Sequence, residues 1–173
     1  RSNYIMQIVQ ATDSSLWFAT WGGGLHRLHK GEWTSYNTQN SQIPSDLIGA
    51  ISTGSNGSIW VGTDNGLSRL SADGWLHFNT SSGLPGNKVQ ALLVSTQGSQ
   101  EVVWVGTSSG LACLQDGRWK NFTTKAELPD NNIRALLQTV APSGQKRLWV
   151  GTDTGLAVLE DGKWSSVNTG LPK

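Results

Sequence analysis

Apolar and polar positions alternate in short runs along the whole chain, and turn residues interrupt them at close intervals. In one stretch, Val89-Gln90-Ala91-Leu92-Leu93-Val94 forms a β-rich run, and a polar turn at Thr96-Gln97-Gly98-Ser99-Gln100 follows. Next come Val102 to Thr107, the turn Ser108-Ser109-Gly110, and Leu111-Ala112-Cys113-Leu114. Asp116-Gly117 then marks a hairpin, because a type I′ turn needs positive φ at both central residues. Trp119-Lys120-Asn121-Phe122-Thr123 closes the unit as a fourth strand. No window carries a helical stripe. Strands this short, on turns this tight, leave no room for crossover helices, so the sheet is predicted to be antiparallel.

The unit repeats. Trp17, Trp60, Trp104 and Trp149 lead runs of the form Trp-Val-Gly-Thr, spaced 43, 44 and 45 residues apart. Each is followed by a Gly-Leu pair, at Gly24-Leu25, Gly66-Leu67, Gly110-Leu111 and Gly155-Leu156. A second tryptophan series (Trp33, Trp75, Trp119, Trp164) and a proline series (Pro44, Pro85, Pro129, Pro172) keep the same period. Four strands in a period of this length predict an all-β fold, a β-propeller of four-stranded antiparallel blades. One domain spans 1–173, with blades at about 1–43, 44–84, 85–128 and 129–173.

Leu-Pro-x-Asn-x-Val, then Leu-Trp-Val-Gly-Thr-x-x-Gly-Leu, then Asp-Gly-x-Trp, resembles the two-component regulator propeller repeat. The resemblance covers essentially the whole chain in four copies. It implies an extracytoplasmic sensor portion of a bacterial regulator, periplasmic or extracellular, with a small molecule or oligosaccharide as the expected ligand. Blade 1 departs from the pattern: Ala19 replaces the glycine, and one residue is inserted in Trp21-Gly22-Gly23-Gly24. Nothing in the chain resembles a transmembrane helix, a kinase or a DNA-binding domain. The alternatives are a protein–protein interaction scaffold and, less favoured, a propeller enzyme of the streptogramin lyase type.

The ends fall between blades: the chain starts at an innermost strand (Ile5 to Val9) and stops after an outermost one (Trp164 to Asn168). An open four-blade arc would leave two apolar faces uncovered. The expectation is a homodimer completing an eight-bladed ring, against a closed four-blade ring or a fragment lacking its neighbours.

Composition narrows the function. The formal net charge is +1 and only 14% of residues are charged, without basic runs, which argues against nucleic acid or an anionic membrane as the main partner. No apolar stretch approaches the ~20 residues of a membrane helix. The chain opens on Arg1 without a signal peptide, as expected of a mature chain or an excised fragment. The single Cys113 cannot form an internal disulfide.

Eight of the nine tryptophans belong to the repeat and are read as packing between blades. Gly66, Gly110 and Gly155 fit turns of positive φ. In the inner strands, Ile48, Val89 and Ile133 share a register with Ala50, Ala91 and Ala135 two residues on, leaving Met6, Gly49, Gln90 and Arg134 to face the other way. Gln90 and Arg134 would then put an amide and a cation in the channel. Trp21 stands outside the repeat, where the other blades have Asp64, Ser108 and Asp153, and is a candidate stacking platform for a ligand. Around the same rim lie Asp46, Asn65, Lys88, Asp130, Asn131 and Asn132, suited to sugar hydroxyls and equally to turns. The candidate ligand-binding set is therefore Trp21, Asp64, Asn65, Gln90, Asp130, Asn131, Arg134 and Asp153. No catalytic residue, cofactor or metal site is expected: the three histidines, His26, His29 and His77, form no cluster, and His26 and His29 are three apart on a strand whose side chains alternate with period two.

Overall fold

A computed structural model of the chain describes residues 4–97, 100–126 and 128–167. These residues form four four-stranded antiparallel sheets, each in strictly sequential strand order. Blade 1 contains β1 (Ile5–Gln10), β2 (Leu16–Thr20), β3 (Gly24–His29) and β4 (Glu32–Tyr36). Blade 2 contains β5 (Ile48–Thr53), β6 (Ile59–Thr63), β7 (Gly66–Ser71) and β8 (Gly74–Phe78). Blade 3 contains β9 (Val89–Gln97), β10 (Gln100–Thr107), β11 (Gly110–Gln115) and β12 (Arg118–Phe122). Blade 4 contains β13 (Ile133–Val140), β14 (Lys146–Thr152), β15 (Leu156–Glu160) and β16 (Lys163–Val167). The inner strands β1, β5, β9 and β13 stand side by side along the inside of the arc. Pro172 and Asn168 lie outside the described residues.

The turns follow their chemistry. Asp116 and Gly117 both have positive φ (53° and 71°), as the type I′ reading requires. Thr20, Thr63, Thr107 and Thr152, which close each Trp-Val-Gly-Thr run, donate Oγ1–H to the carbonyls of Gly24, Gly66, Gly110 and Gly155 at 2.7–2.9 Å. This clasp fixes the β2–β3 type of turn in every blade. Two expectations need correction. Gly155 is not among the positive-φ glycines, because the fourth turn closes with the Gly155 N–H on Thr152 Oγ1 rather than with a left-handed residue. The stretch read as a polar turn at 96–100 is mostly strand: Thr96 and Gln97 pair with Glu101 and Gln100. Glu101 is held there across the blade boundary, accepting from Trp60 Nε1 (3.1 Å) and Ser55 N (3.0 Å).

The core sits between blades, in three clusters of the same composition. Trp17, Ala19, Leu25 and Ile43 of blade 1 meet Ile48, Ile51, Ile59 and Val61 of blade 2. Trp60, Leu67 and Leu84 meet Val89, Val103 and Val105. Trp104, Leu111 and Leu128 meet Ile133, Leu148 and Val150. The second tryptophan series packs backward. Trp75, Trp119 and Trp164 meet Tyr36, Phe78 and Phe122 of the preceding blade edge-on, with centroids 5.2–5.9 Å apart. Trp33, in the first described blade, is 61% exposed.

The repeated glycine explains how closely blades approach. A Cβ on Gly62 would lie 2.4 Å from Val89 Cγ1, and one on Gly106 would lie 2.6 Å from Ile133 Cγ2. On Gly151 the nearest atom would be Ala135 Cβ at 3.5 Å, an ordinary contact. Among the described residues no cluster joins blade 4 to blade 1, and Ile5, Met6 and Ile8 are exposed. The four blades form an open arc.

Candidate functional site

Each inner strand carries a β-bulge at its entry. The pairing skips Met6, Gly49, Gln90 and Arg134, so each is an extra residue opposite no partner of its own. A bulge bends the strand and re-aims the side chain it frees. Repeated four times, it sets one residue per blade on the inner lip of the arc. In blades 1 and 2 that residue is methionine and glycine. In blades 3 and 4 it is glutamine and arginine.

The two polar lip residues join one network. Arg134 donates from Nε to Asp153 Oδ1 (2.5 Å), from one terminal nitrogen to Oδ2 (3.1 Å), and from the other to Gln90 Oε1 (3.0 Å). Gln90 Nε2 donates to Asn132 Oδ1 (2.5 Å), and Asn132 Nδ2 donates to Asp153 Oδ2 (2.6 Å). Asp130 Oδ1 holds the backbone of Asn132 (2.7 Å). Four side chains from two blades and two loops therefore form a ring of donors and acceptors, with Asp130 holding the backbone of one of them. The side chains of Arg134 and Asp153 are still 52% and 41% exposed. The hydrogen bonds from Arg134 hold the Asp153 carboxyl below its ordinary range, and the carboxylate in turn raises the guanidinium. The pair is a neutral, bidentate unit whose remaining lone pairs and N–H groups face water.

The other sequence-predicted residues fall into different roles. The N–H groups of Trp21, Asp64 and Ser108 donate to the carbonyls of Tyr4, Leu47 and Lys88, which confirms that the three positions correspond. Trp21 also bridges to Leu47, and Gly22 N–H bonds the Asp46 carbonyl, so the Trp21 backbone is anchored rather than loose. Its side chain is half-buried. Asp64 has a buried Oδ1 with no hydrogen-bond partner among the described residues, whereas the Asn65 amide reaches the Pro44 carbonyl at 3.5 Å. Asn131 Oδ1 accepts from Thr124 N (2.8 Å), as Asn87 does from Thr80 (2.9 Å) and Asp46 from Thr38 (2.7 Å). That repeated bond ties down the connector between blades. Among the described residues, Trp21, Asp64 and Asn65 make no hydrogen bond to the Arg134 network.

Cys113 is 7% exposed, and burial pushes its thiol up to about 11. At pH 8 the reactive thiolate is then scarce, and alkylation by iodoacetamide should run about 100-fold slower than for a free cysteine. Mass spectrometry over a time course measures this. Labelling at the free-cysteine rate would contradict the burial. Among the described residues no three His, Cys, Asp or Glu side chains gather as a metal-ligand set.

Fold and lip together define the class: an all-β propeller arc with a polar inner lip on its last two blades. No protein-family model and no curated protein matches the chain. Among solved structures it is similar to the extracellular domain of a hybrid two-component system from B. thetaiotaomicron, at 21% identity and a TM-score of 0.75 over 98% of this chain. A second such domain from the same organism gives 20% identity and a TM-score of 0.68 over 96% of this chain. The chain spans 22% and 29% of the lengths of those two domains. A streptogramin B lyase matches at 16% identity and a TM-score of 0.70, over 96% of this chain and 55% of its own. These likenesses bear on the fold.

Proposed function

We propose that the chain is a non-catalytic ligand-binding propeller of the sensor kind, placed outside the cytoplasm, and that its lip takes an oligosaccharide. The observation that carries the reading is the Gln90–Asn132–Arg134–Asp153 ring. Sugar hydroxyls each present a donor and two acceptors, and a rigid mosaic of amide, guanidinium and carboxylate offers complementary partners without a net charge. Because the ring is pre-ordered by its internal bonds, a ligand spends little of its binding energy on fixing side chains. Similarity to extracellular domains of two-component systems supports the sensor assignment. Trp21, across the arc, offers an indole for stacking against a sugar ring.

Titration calorimetry with cellohexaose, xylohexaose and tri-galacturonate tests the reading. At least one should bind the wild type, and Arg134→Ala should weaken that sugar about 30-fold, or ~2 kcal/mol, the scale of a lost charge-assisted hydrogen-bond set. Melting temperature should stay within about 1 °C, because the pair is surface-exposed. Equal affinity in Arg134→Ala, or no sugar bound at millimolar concentration, contradicts it.

A further inference from the structure

Blades 3 and 4 depart from blades 1 and 2 at a position away from the lip, with Cys113 opposite Trp104 and Val158 opposite Trp149. In blades 1 and 2 the residue paired across the strands with the repeated tryptophan is arginine: Arg27 opposite Trp17, and Arg69 opposite Trp60. Each guanidinium carbon lies 5.6 Å from the indole centroid, so the cation covers the ring. Arg27 is anchored by Asp13, whose carboxyl is held down to about 2 by the Ser15 hydroxyl and N–H and by Arg27 itself. In blade 3 the position opposite Trp104 is Cys113. The small thiol carries no guanidinium to lie over the indole, and Trp104 is 9% exposed against 4% and 2% for Trp17 and Trp60.

A cavity of about 1010 Å³ lies there, between blades 3 and 4. Trp104, Phe122 and Trp164 supply aromatic wall, with Cys113 beside them. Among the described residues, Lys120, Lys125, Lys146 and Lys163 line it against a single carboxylate, Asp161, while Arg147 is paired with Glu160 (2.7 Å). The Trp164 Nε1–H is buried with no acceptor among the described residues.

We propose that this cavity is a second binding site, separate from the lip, for a small planar anion of the aromatic carboxylate class. The ring lies against the indole face that arginine covers in the earlier blades. The carboxylate meets the lysines. The site stands independently of the sugar reading.

The probes are naphthalene-2-carboxylate and its neutral carboxamide, followed by tryptophan fluorescence and by NMR titration of the 173-residue chain. The carboxylate should bind below 1 mM (~4 kcal/mol or better), and the amide at least tenfold more weakly. Cys113→Arg installs the arginine that blades 1 and 2 carry there and should abolish binding. Lys120→Gln with Lys163→Gln, both on the surface, should weaken the carboxylate about tenfold and leave the amide unchanged. Arg134→Ala should leave both unchanged, which separates this site from the lip. Carboxylate binding unaffected by both the cysteine and the lysine variants, or no binding at 10 mM, overturns the proposal.

The end faces carry a second inference on their own. Ile5, Ile8, Leu16 and Phe18 of blade 1 occupy the positions that Ile48, Ile51, Ile59 and Val61 use to pack on blade 1. Ile5 and Ile8 are 51% and 53% exposed. At the other end Trp149, Gly151 and Leu156 occupy the receiving positions of Trp60, Gly62 and Leu67, and all three are half-buried where their counterparts are buried. We infer that a second copy of the chain covers these faces head to tail, with Ile5 of each copy over Gly151 of the other, so that two arcs close an eight-bladed ring. The contact would continue an interface the chain already makes three times, and a heterologous contact of this kind forms a closed ring only when its rotation closes. Sedimentation equilibrium should give a dimer, and Gly151→Val and Ile5→Asp should each give a folded monomer. A wild-type monomer up to 100 µM, open-ended polymers, or a dimer unaffected by both variants overturns it.

Discussion

Gly106→Val should lower the unfolding free energy by about 3 kcal/mol and the melting temperature by about 10 °C. On local grounds alone the sign should be opposite, since valine suits a strand better than glycine. The destabilisation comes from the next blade. The new Cβ would meet Ile133 Cγ2 at 2.6 Å and Ala91 Cβ at 3.1 Å, inside a cluster where Ile133 is fully buried. Relieving that overlap requires blade 4 to back away from blade 3, which opens the contact of Leu111 and Leu128 with Leu148 and Val150. Gly151→Val is the control: it has the same sequence context, but the added Cβ meets only Ala135 Cβ at 3.5 Å. In urea, at a concentration where both chains are monomeric, it should be neutral or slightly stabilising. Equal losses in the two variants would mean that the glycine serves its own blade.

Trp60→Ala should cost about 4 kcal/mol, near the upper end for an aromatic truncation. Trp60 is 2% exposed, stacks on Phe78 at 5.9 Å, lies under the Arg69 guanidinium, and donates to Glu101 of the next blade. Its removal leaves a cavity, an uncovered cation and a carboxylate that has lost one of its donors. Trp149→Ala should cost only about 1–2 kcal/mol. Trp149 is half-buried and bonds within its own blade, to Thr139 Oγ1 (2.9 Å). Chemical unfolding followed by circular dichroism measures the difference. Similar losses would contradict packing between blades as the role of the series.

Much of this architecture was legible in the sequence because it repeats. A tryptophan that returns at Trp17, Trp60, Trp104 and Trp149 inside β-rich runs has to serve a unit that returns with it, and the Gly-Leu pairs and Asp116-Gly117 mark the turns. What the pattern hid is local insertion and long-range pairing. A period-two reading counts Met6, Gly49, Gln90 and Arg134 as ordinary strand positions and puts Ile48 on one face with Ala50, whereas each is a bulge that shifts the alternation by one, so that Ile48 and Ala50 face opposite sides and Ile48 packs together with Ile51. The Gln90–Arg134 bond joins residues 44 positions apart, and no local rule pairs them. Asn131 shows the converse: a rim residue with ligand-binding chemistry proves to hold its own connector through Thr124, a role its repetition as Asp46 and Asn87 could have signalled. The cavity was legible only as a departure, Cys113 where two blades carry arginine.

The functional claim rests on the lip of blades 3 and 4, and an NMR titration locates a ligand there or elsewhere. With ¹⁵N-labelled chain and whichever of the three oligosaccharides binds, the largest amide and side-chain shifts should fall on Gln90, Asn132, Arg134 and Asp153, with Arg134 Nε among them. They should vanish in Arg134→Ala. Shifts confined to the outer strands, or spread evenly with the Arg134 resonances unmoved, would contradict the assignment of the lip as the binding site.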